Sequence, residues 1–166
     1  MDTIEDTALT LPDGSQITLR HALMEDVPAI VDLLVDDPLG HTRDGATRDG
    51  GYGPYERAFA EIATEPNQHL VVATDGRAVI GTFQLTFITG LSLRGTRRAQ
   101  IEGVRVAQTY RSCGLGTAMM RWAISESAKH RCTLVQLTSD KTRTDAHRFY
   151  ERLGFQATHE GYKMKL

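Results

Sequence analysis

The stretch from Ile101 to Thr117 (IEGVRVAQTYRSCGLGT) constrains this chain more than any other part of it. A β-branched run ends in a turn with glycines at 114 and 116, and an apolar-periodic stretch follows from Leu115 to Lys129. That order dictates strand, tight turn, helix. The unpaired N–H groups and positive dipole end of such a helix form a site for phosphate. Gly114 and Gly116 let the backbone come close to it, because a Cβ would intrude there. Arg111 adds a charge-assisted donor. The turn lacks the Gly-Lys-Ser/Thr ending of an ATP-binding P-loop. A dinucleotide fingerprint would need a small residue where Met119 stands. Arg-x-x-Gly-x-Gly by itself fits either a phosphate-bearing ligand or a bare turn.

The elements around this segment belong to one pattern. Leu9 and Leu11, Pro12-Asp13-Gly14, then Ile17 and Leu19 predict a hairpin over residues 8–20. Asp26 and Pro28 open a helix whose stripe is Val27, Ile30, Val31 and Leu34. Residues 40–54 are glycine-rich, charged and aperiodic, and read as a mobile loop. A second helix runs from Tyr55 to Thr64. Strands follow at His69–Ala73 and Val79–Ile88, joined by a two-residue hairpin turn at Asp75-Gly76. After a basic stretch from Thr89 to Arg98 come strands at Ala99–Val106 and Leu134–Thr138, on either side of the 115–129 helix. Ala146, Phe149, Tyr150 and Leu153 mark a last helix, ended by Gly154. Tyr162, Met164 and Leu166 alternate and predict a closing strand. Runs of strands and helices in this order predict an α/β (α+β) fold, a mixed sheet with helices on its faces. A length of 166 residues fits one domain, 1–166.

Composition removes several function classes. Lys plus Arg number 19 and Asp plus Glu 21, a net charge of −2. That leaves no basic excess for nucleic acid or an anionic membrane. No apolar run approaches the ~20 residues that span a bilayer. The opening residues Met1 to Thr7 are acidic and polar, unlike a targeting peptide, so a cytoplasmic location is expected. Cys113 and Cys132 form neither a disulfide framework nor a metal pattern, and the six histidines show no metal spacing. Cys113 lies near a helix N-terminus, where thiols acidify, but no His or Asn motif accompanies it, so it reads as a bystander.

Downstream of the glycine turn lies AHRFYERLGF, from Ala146 to Phe155. The two segments together, Arg-x-x-Gly-x-Gly followed by Ala-x-x-Phe-Tyr-x-x-x-Gly-Phe, resemble the signature of the GNAT acetyltransferases, and the matching element order covers residues 15–166. The resemblance implies the GNAT fold: a mixed, mostly antiparallel central sheet with a splayed, bulged strand and helices on both faces. It divides the chain into an N-terminal hairpin (8–20), acceptor-side helices and loop (24–66) and a CoA-binding core (69–166). It implies an acetyl-CoA-dependent N-acetyltransferase that moves the acetyl group directly to a primary amine of an unidentified acceptor, with acetyl-CoA as cosubstrate and no metal.

Carried over residue by residue, the main chain of Val104, Arg105 and Val106 would hold pantetheine. Arg111, Ser112, Cys113, Gly114, Leu115, Gly116 and Thr117 would hold the pyrophosphate. Tyr150 matches the general acid that protonates the departing thiolate. Its place on an apolar stripe fits a core aromatic as well. Glu102 is the candidate base for the ammonium of the acceptor. The other reading of Glu102 is an ion pair with Arg97 or Arg98. Relatives often carry asparagine where Arg143 stands, so either that pantetheine contact is missing or Arg143 and Lys141 reach CoA phosphates or solvent. The first two helices, the 40–54 loop and Arg94, Arg97 and Arg98 are expected to shape the acceptor site. Two rivals are a non-catalytic acyl-CoA-binding or interaction module and an ATP-binding protein. Many members of the family it resembles pair through exposed strands, and the alternating last strand would leave such an edge in need of cover, so the resemblance implies a homodimer.

Overall fold

The computed structural model describes residues 4–36, 40, 43–45 and 50–166; the remainder of the 40–54 loop lies outside them. Its strands are β1 Thr7–Thr10, β2 Gln16–His21, β3 Gln68–Thr74, β4 Val79–Thr89, β5 Arg97–Val106 and β6 Leu134–Leu137. Its helices are α1 Val27–Val35, α2 Gly53–Thr64, α3 Leu115–Lys129 and α4 Thr144–Arg152. The six strands lie side by side in sequence order. They are antiparallel as far as β5, and β6 is parallel to β5. Among the described residues no helix is long and apolar enough to cross a membrane.

Side-chain acceptors close two of the turns. Asp13 Oδ1 accepts from the Ser15 N–H (2.9 Å) and hydroxyl (2.6 Å). Asp75 Oδ1 accepts from the N–H groups of Arg77 and Ala78, each at 2.9 Å. The β3–β4 connection therefore takes residues 75–78, two more than the hairpin turn expected, because Asp75 caps its own loop. Between β4 and β5, Leu93, Arg94 and Gly95 all have positive φ (50°, 61° and 80°). This left-handed turn leaves Leu91 and Leu93 in solvent.

Alternation along the strands builds two layers. On one face Leu19, Val71, Phe83, Leu85 and Ile101 are fully buried against Leu115, Met119, Met120 and Ala123 of α3. Trp122 sets its ring edge on Phe83 at 5.9 Å and donates its N–H to the Thr7 hydroxyl. Phe83→Ala should cost about 3–5 kcal/mol in urea unfolding, since close packing leaves no side chain free to fill the void. On the other face Val72 and Ala22 pack with Ile30 of α1, flanked by Leu34, Phe59 and Leu70. α1 is aimed by a two-pronged ion pair, Arg20 to Asp26 at 2.6 and 3.0 Å, and Asp26 also accepts from the Leu23 N–H.

At the lower margin of the α3 layer, His69 is 7% exposed, and its ring stacks on His21 and neighbours His130 and Phe87. His21 Nε2 and His69 Nδ1 are 3.1 Å apart. Burial, then the charges of His21 and His130, push the His69 pKa down to about 4. An unfolded histidine takes up its proton near 6.5, so between 6.5 and about 4 the unfolded chain binds more protons than the folded one. Stability should fall as pH drops through that window. Urea midpoints at pH 7.5 and 5 check this, and His69→Gln should flatten the difference.

Two irregularities in β5 position everything that follows. Gln84 faces Glu102 and Thr82 faces Arg105, so Gly103 and Val104 together oppose Phe83. This is a β-bulge, with Gly103 at φ +61°. On its other side β5 pairs with β6 only from Arg98↔Leu134 to Ile101↔Leu137. Past that point β5 runs on to Val106 while β6 turns away. The closing strand expected at the C-terminus does not form. Tyr162, Met164 and Leu166 belong to no strand and are 90%, 84% and 117% exposed. Alternation gives the segment a face, but among the described residues no neighbour covers it.

Candidate active site

The divergence of β5 from β6 opens a gap directly ahead of the glycine turn. Val104 and Val106 turn their side chains onto the margin of the core, and the Arg105 guanidinium donates to the Val104 carbonyl at 2.9 Å. The main chain of Val104–Val106 thus lies along the gap with no strand paired on its β6 side. A short 3₁₀ turn, Gln108–Tyr110, leads from there to the loop. Tyr110 anchors this turn by donating its hydroxyl to Asp75 Oδ2 at 2.8 Å. The Ala78 N–H, that hydroxyl and the Arg77 N–H hold the Asp75 carboxyl down at about 2. The turn is therefore tied to the β3–β4 loop, a contact the sequence signalled only as an Asp-Gly pair.

Ser112 (φ +68°) and Gly114 (φ +92°) bend the chain into α3. Gly114 is the N-cap of α3 and its carbonyl accepts the first helical bond, from Ala118 at 2.9 Å. The N–H groups of Leu115, Gly116 and Thr117 have no partner inside the helix. The two glycines do different work. A Cβ on Gly114 would meet Pro12 at 2.9 Å, so the turn itself demands glycine there, ligand or no ligand. A Cβ on Gly116 would reach Phe149 at 3.5 Å and Val106 at 3.7 Å, ordinary contacts on the floor of the gap. Cys113 donates its thiol to the Tyr110 carbonyl at 2.8 Å, which suits a structural thiol.

Arg111 is turned back on the fold. Its guanidinium donates to the Asp36 carbonyl (2.9 Å), the Asp36 carboxylate (3.0 Å) and the Val106 carbonyl (3.2 Å). It links the glycine turn to the end of α1, across a separation in sequence that no local pattern signals. The side chain is about half exposed, so a phosphate can compete for it.

Tyr150 lies on α4 at the edge of the gap. It is half-buried, with Phe149 and Phe155 set edge-on at 5.3 and 6.0 Å. Burial raises its pKa, and the nearby guanidiniums of Arg143 and Arg105 pull part of that back. The hydroxyl stays protonated at neutral pH while two cations wait to stabilise the charge it would gain on giving up its proton. Arg143 is thus in the electrostatic surroundings of Tyr150, and Lys141 pairs with Glu160 at 3.4 Å.

Glu102 is exposed on β5, on the face shared with α1 and α2, because it stands opposite Gln84, which in turn stands opposite Leu70. Gln84 donates to Gln68 at 3.0 Å, and Gln100 accepts from Gln136 at 2.7 Å, so amide side chains surround the carboxylate. Pattern reading missed these glutamines, which only the strand register aligns. Arg97 does not reach Glu102: it donates to Asn67 and lies over the Phe87 ring. Arg97, in the basic stretch expected to shape the acceptor site, stands apart from Glu102. Arg97 precedes Glu102 by five residues of extended chain, roughly 16 Å at ~3.3 Å per residue. Among the described residues no group of His, Cys, Asp and Glu is placed to hold a metal ion.

The site combines an opened strand, an uncapped helix N-terminus, a half-buried phenol and an exposed carboxylate. Residues 28–155 match the Acetyltransferase (GNAT) family. The chain is 28% identical over 141 residues to an aminoalkylphosphonate N-acetyltransferase of Salmonella typhimurium, covering 85% of this chain and 86% of that protein. Among solved structures it resembles a protein of Bacillus halodurans described as a transcriptional regulator (43% identity, TM-score 0.86, 90% of this chain and 99% of that one). It also resembles a putative acetyltransferase of Agrobacterium tumefaciens (25% identity, TM-score 0.74, 89% and 99%).

Proposed function

The chain belongs to the GNAT acetyltransferase family, and from that premise we propose that it moves the acetyl group of acetyl-CoA directly to a primary amine, using Tyr150 as acid and Glu102 as base. The observation that carries this reading is the gap between β5 and β6, which leads straight to the N-terminus of α3. The residues on hand fit acetyl-CoA there. The strand edge at Val104–Val106, beyond the last pair of β5 with β6, suits the amides of pantetheine, which bind as an added strand would. The N–H groups of Leu115–Thr117 and the turn at Arg111–Gly114 suit a pyrophosphate.

The chemistry follows from where the groups stand. Glu102 faces the side of α1 and α2, takes a proton from the acceptor ammonium and frees its lone pair. The amine attacks the thioester carbonyl, and N–H groups of the bulge near Val104 receive the developing oxyanion. As the carbon–sulfur bond breaks, the Tyr150 hydroxyl gives its proton to the departing sulfur, the new amide nitrogen sheds its surplus proton to solvent, and Tyr150 recovers its own from there. The proposal includes a homodimer in the cytoplasm.

The acceptor is an amine small enough to lie between the glutamine-lined face of β4–β5 and the first two helices. Purified protein, acetyl-CoA and a panel of amines, read by release of the free CoA thiol, test the reading. Aminoalkylphosphonates enter first because of the Salmonella relative. Thiol release with at least one amine supports it. A non-catalytic acyl-CoA-binding module instead binds acetyl-CoA and releases nothing with any amine.

A further inference from the structure

A row of side chains leads away from Glu102 to a cleft that no step of the reaction uses. Along this row Glu102 on β5 stands opposite Gln84 on β4, which stands opposite Leu70 on β3. Leu70 and Gln68 line the cleft, a space of about 310 Å³ under the C-terminal half of α2. Ala22, Phe59, Ile62 and Pro66 give it apolar walls. A cavity of ~150 Å³ already takes a benzene ring, so a ring and its linker fit here.

Between the carboxylate and the cleft the polar groups are amides. Gln84 donates to Gln68 at 3.0 Å, which leaves the Gln68 amino group and the Gln84 carbonyl oxygen to a ligand. A donor beside an acceptor matches another amide. Charge is scarce at the far end. Among the described residues no lysine or arginine lines the cleft, and Glu65 is its one carboxylate. His21 and His69 border it as well, and burial lowers the pKa of each, so both are mainly neutral at pH 7.5. An anionic tail finds no partner there, whereas an apolar one does. Neighbouring strands are about 4.8 Å apart, so β5 and β3 are separated by roughly 10 Å.

We propose that the acceptor is an amine joined through an amide to an aryl or branched alkyl group. Its nitrogen lies at Glu102, its amide on Gln84 and Gln68, and its apolar end in the cleft beneath α2. The place of the amine rests on the enzymatic reading above; the nature of the tail rests on the cleft. Glycine phenethylamide has this shape, with amine and ring about that far apart when extended.

Two readouts test the proposal side by side. One is calorimetric titration of amines into the protein, with and without CoA, and the other is kcat/KM from release of the CoA thiol. Glycine phenethylamide should exceed glycine ethylamide at least about tenfold in both, the worth of burying a ring. It should exceed phenylpentylamine, which lacks the amide, by about two- to tenfold. It should also lead an aminoalkylphosphonate. Ile62→Lys should bring the ratio of phenethylamide to ethylamide close to one, with a urea melt to follow the fold. If that variant does not fold, Ala63→Trp decides, because Ala63 is exposed at the cleft and an indole there would fill it. Equal values for the two amides overturn the proposal, as do a preference for the phosphonate and a ratio that the folded variants keep. The two readings fail separately. Ring-dependent binding without thiol release from any amine upholds the cleft and overturns acetyl transfer. Turnover that is blind to the ring does the reverse, and neither binding nor turnover with any amine overturns both.

Discussion

Replacing Tyr150 with phenylalanine should lower turnover by about 10²–10⁴-fold, the usual worth of a positioned general acid. Little else should change. The ring keeps its edge-on contacts with Phe149 and Phe155, and the lost hydroxyl should alter stability by about 1 kcal/mol at most. Acetyl-CoA affinity should also hold, because the sulfur needs its proton only when the bond to the acetyl group breaks. Burial already keeps this phenol protonated, with Arg143 and Arg105 tempering the shift. The measurement is kcat and KM for both substrates with an active amine, beside a urea melt. Turnover within a few-fold of wild type would make Tyr150 an aromatic of the core and leave the proton to water or another group.

Gly116→Glu should remove acetyl-CoA binding while leaving the protein folded. Two effects of opposite sign meet at this position. A carboxylate in the first turn of α3 favours the helix by about 0.3–1 kcal/mol through the dipole. The same carboxylate would stand beside the pyrophosphate in the proposed site. Two like charges about 4 Å apart repel by about 4 kcal/mol at an effective dielectric of 20, close to a thousandfold in affinity. Gly116→Ala is the control, since its Cβ would touch Phe149 at 3.5 Å without displacing it. Calorimetric titration with CoA should show near-normal binding for alanine and none for glutamate. A folded Gly116→Glu variant with unchanged affinity would move the cofactor away from this turn.

Local patterns carried the elements well and their partners poorly. α3 begins and ends at Leu115 and Lys129, as the periodicity and the preceding glycine require. Gly154 ends α4 with φ +95°. The β3–β4 turn came out two residues longer because Asp75 competes for backbone N–H groups, a preference that dipeptide turn rules do not contain. The last strand failed for a different reason. Alternation belongs to the segment, whereas pairing belongs to its neighbour, and among the described residues no strand pairs with residues 156–166. Arg111 was legible as a cation at a phosphate turn, but its present partner Asp36 sits 75 residues away. The bulge at Gly103–Val104 left no mark in the local pattern and came only with the family resemblance.

That bulge has a further consequence. Before it, even-numbered residues of β5 look toward α1 and α2 and odd-numbered ones toward α3, as Glu102 and Ile101 do. After it the parity is reversed: Arg105 stands opposite Thr82 on the α1 side, and Val106 turns toward Gly116. One supernumerary residue thus puts a carboxylate and a guanidinium three positions apart on the same face and returns both valines to the other. Deleting Gly103 would remove the bulge and leave regular pairing, with Val104 opposite Phe83, Arg105 still opposite Thr82 and both valines still toward α3. The supernumerary residue thus alters the ladder and the local twist of β5 beside the gap, rather than the direction in which these side chains look.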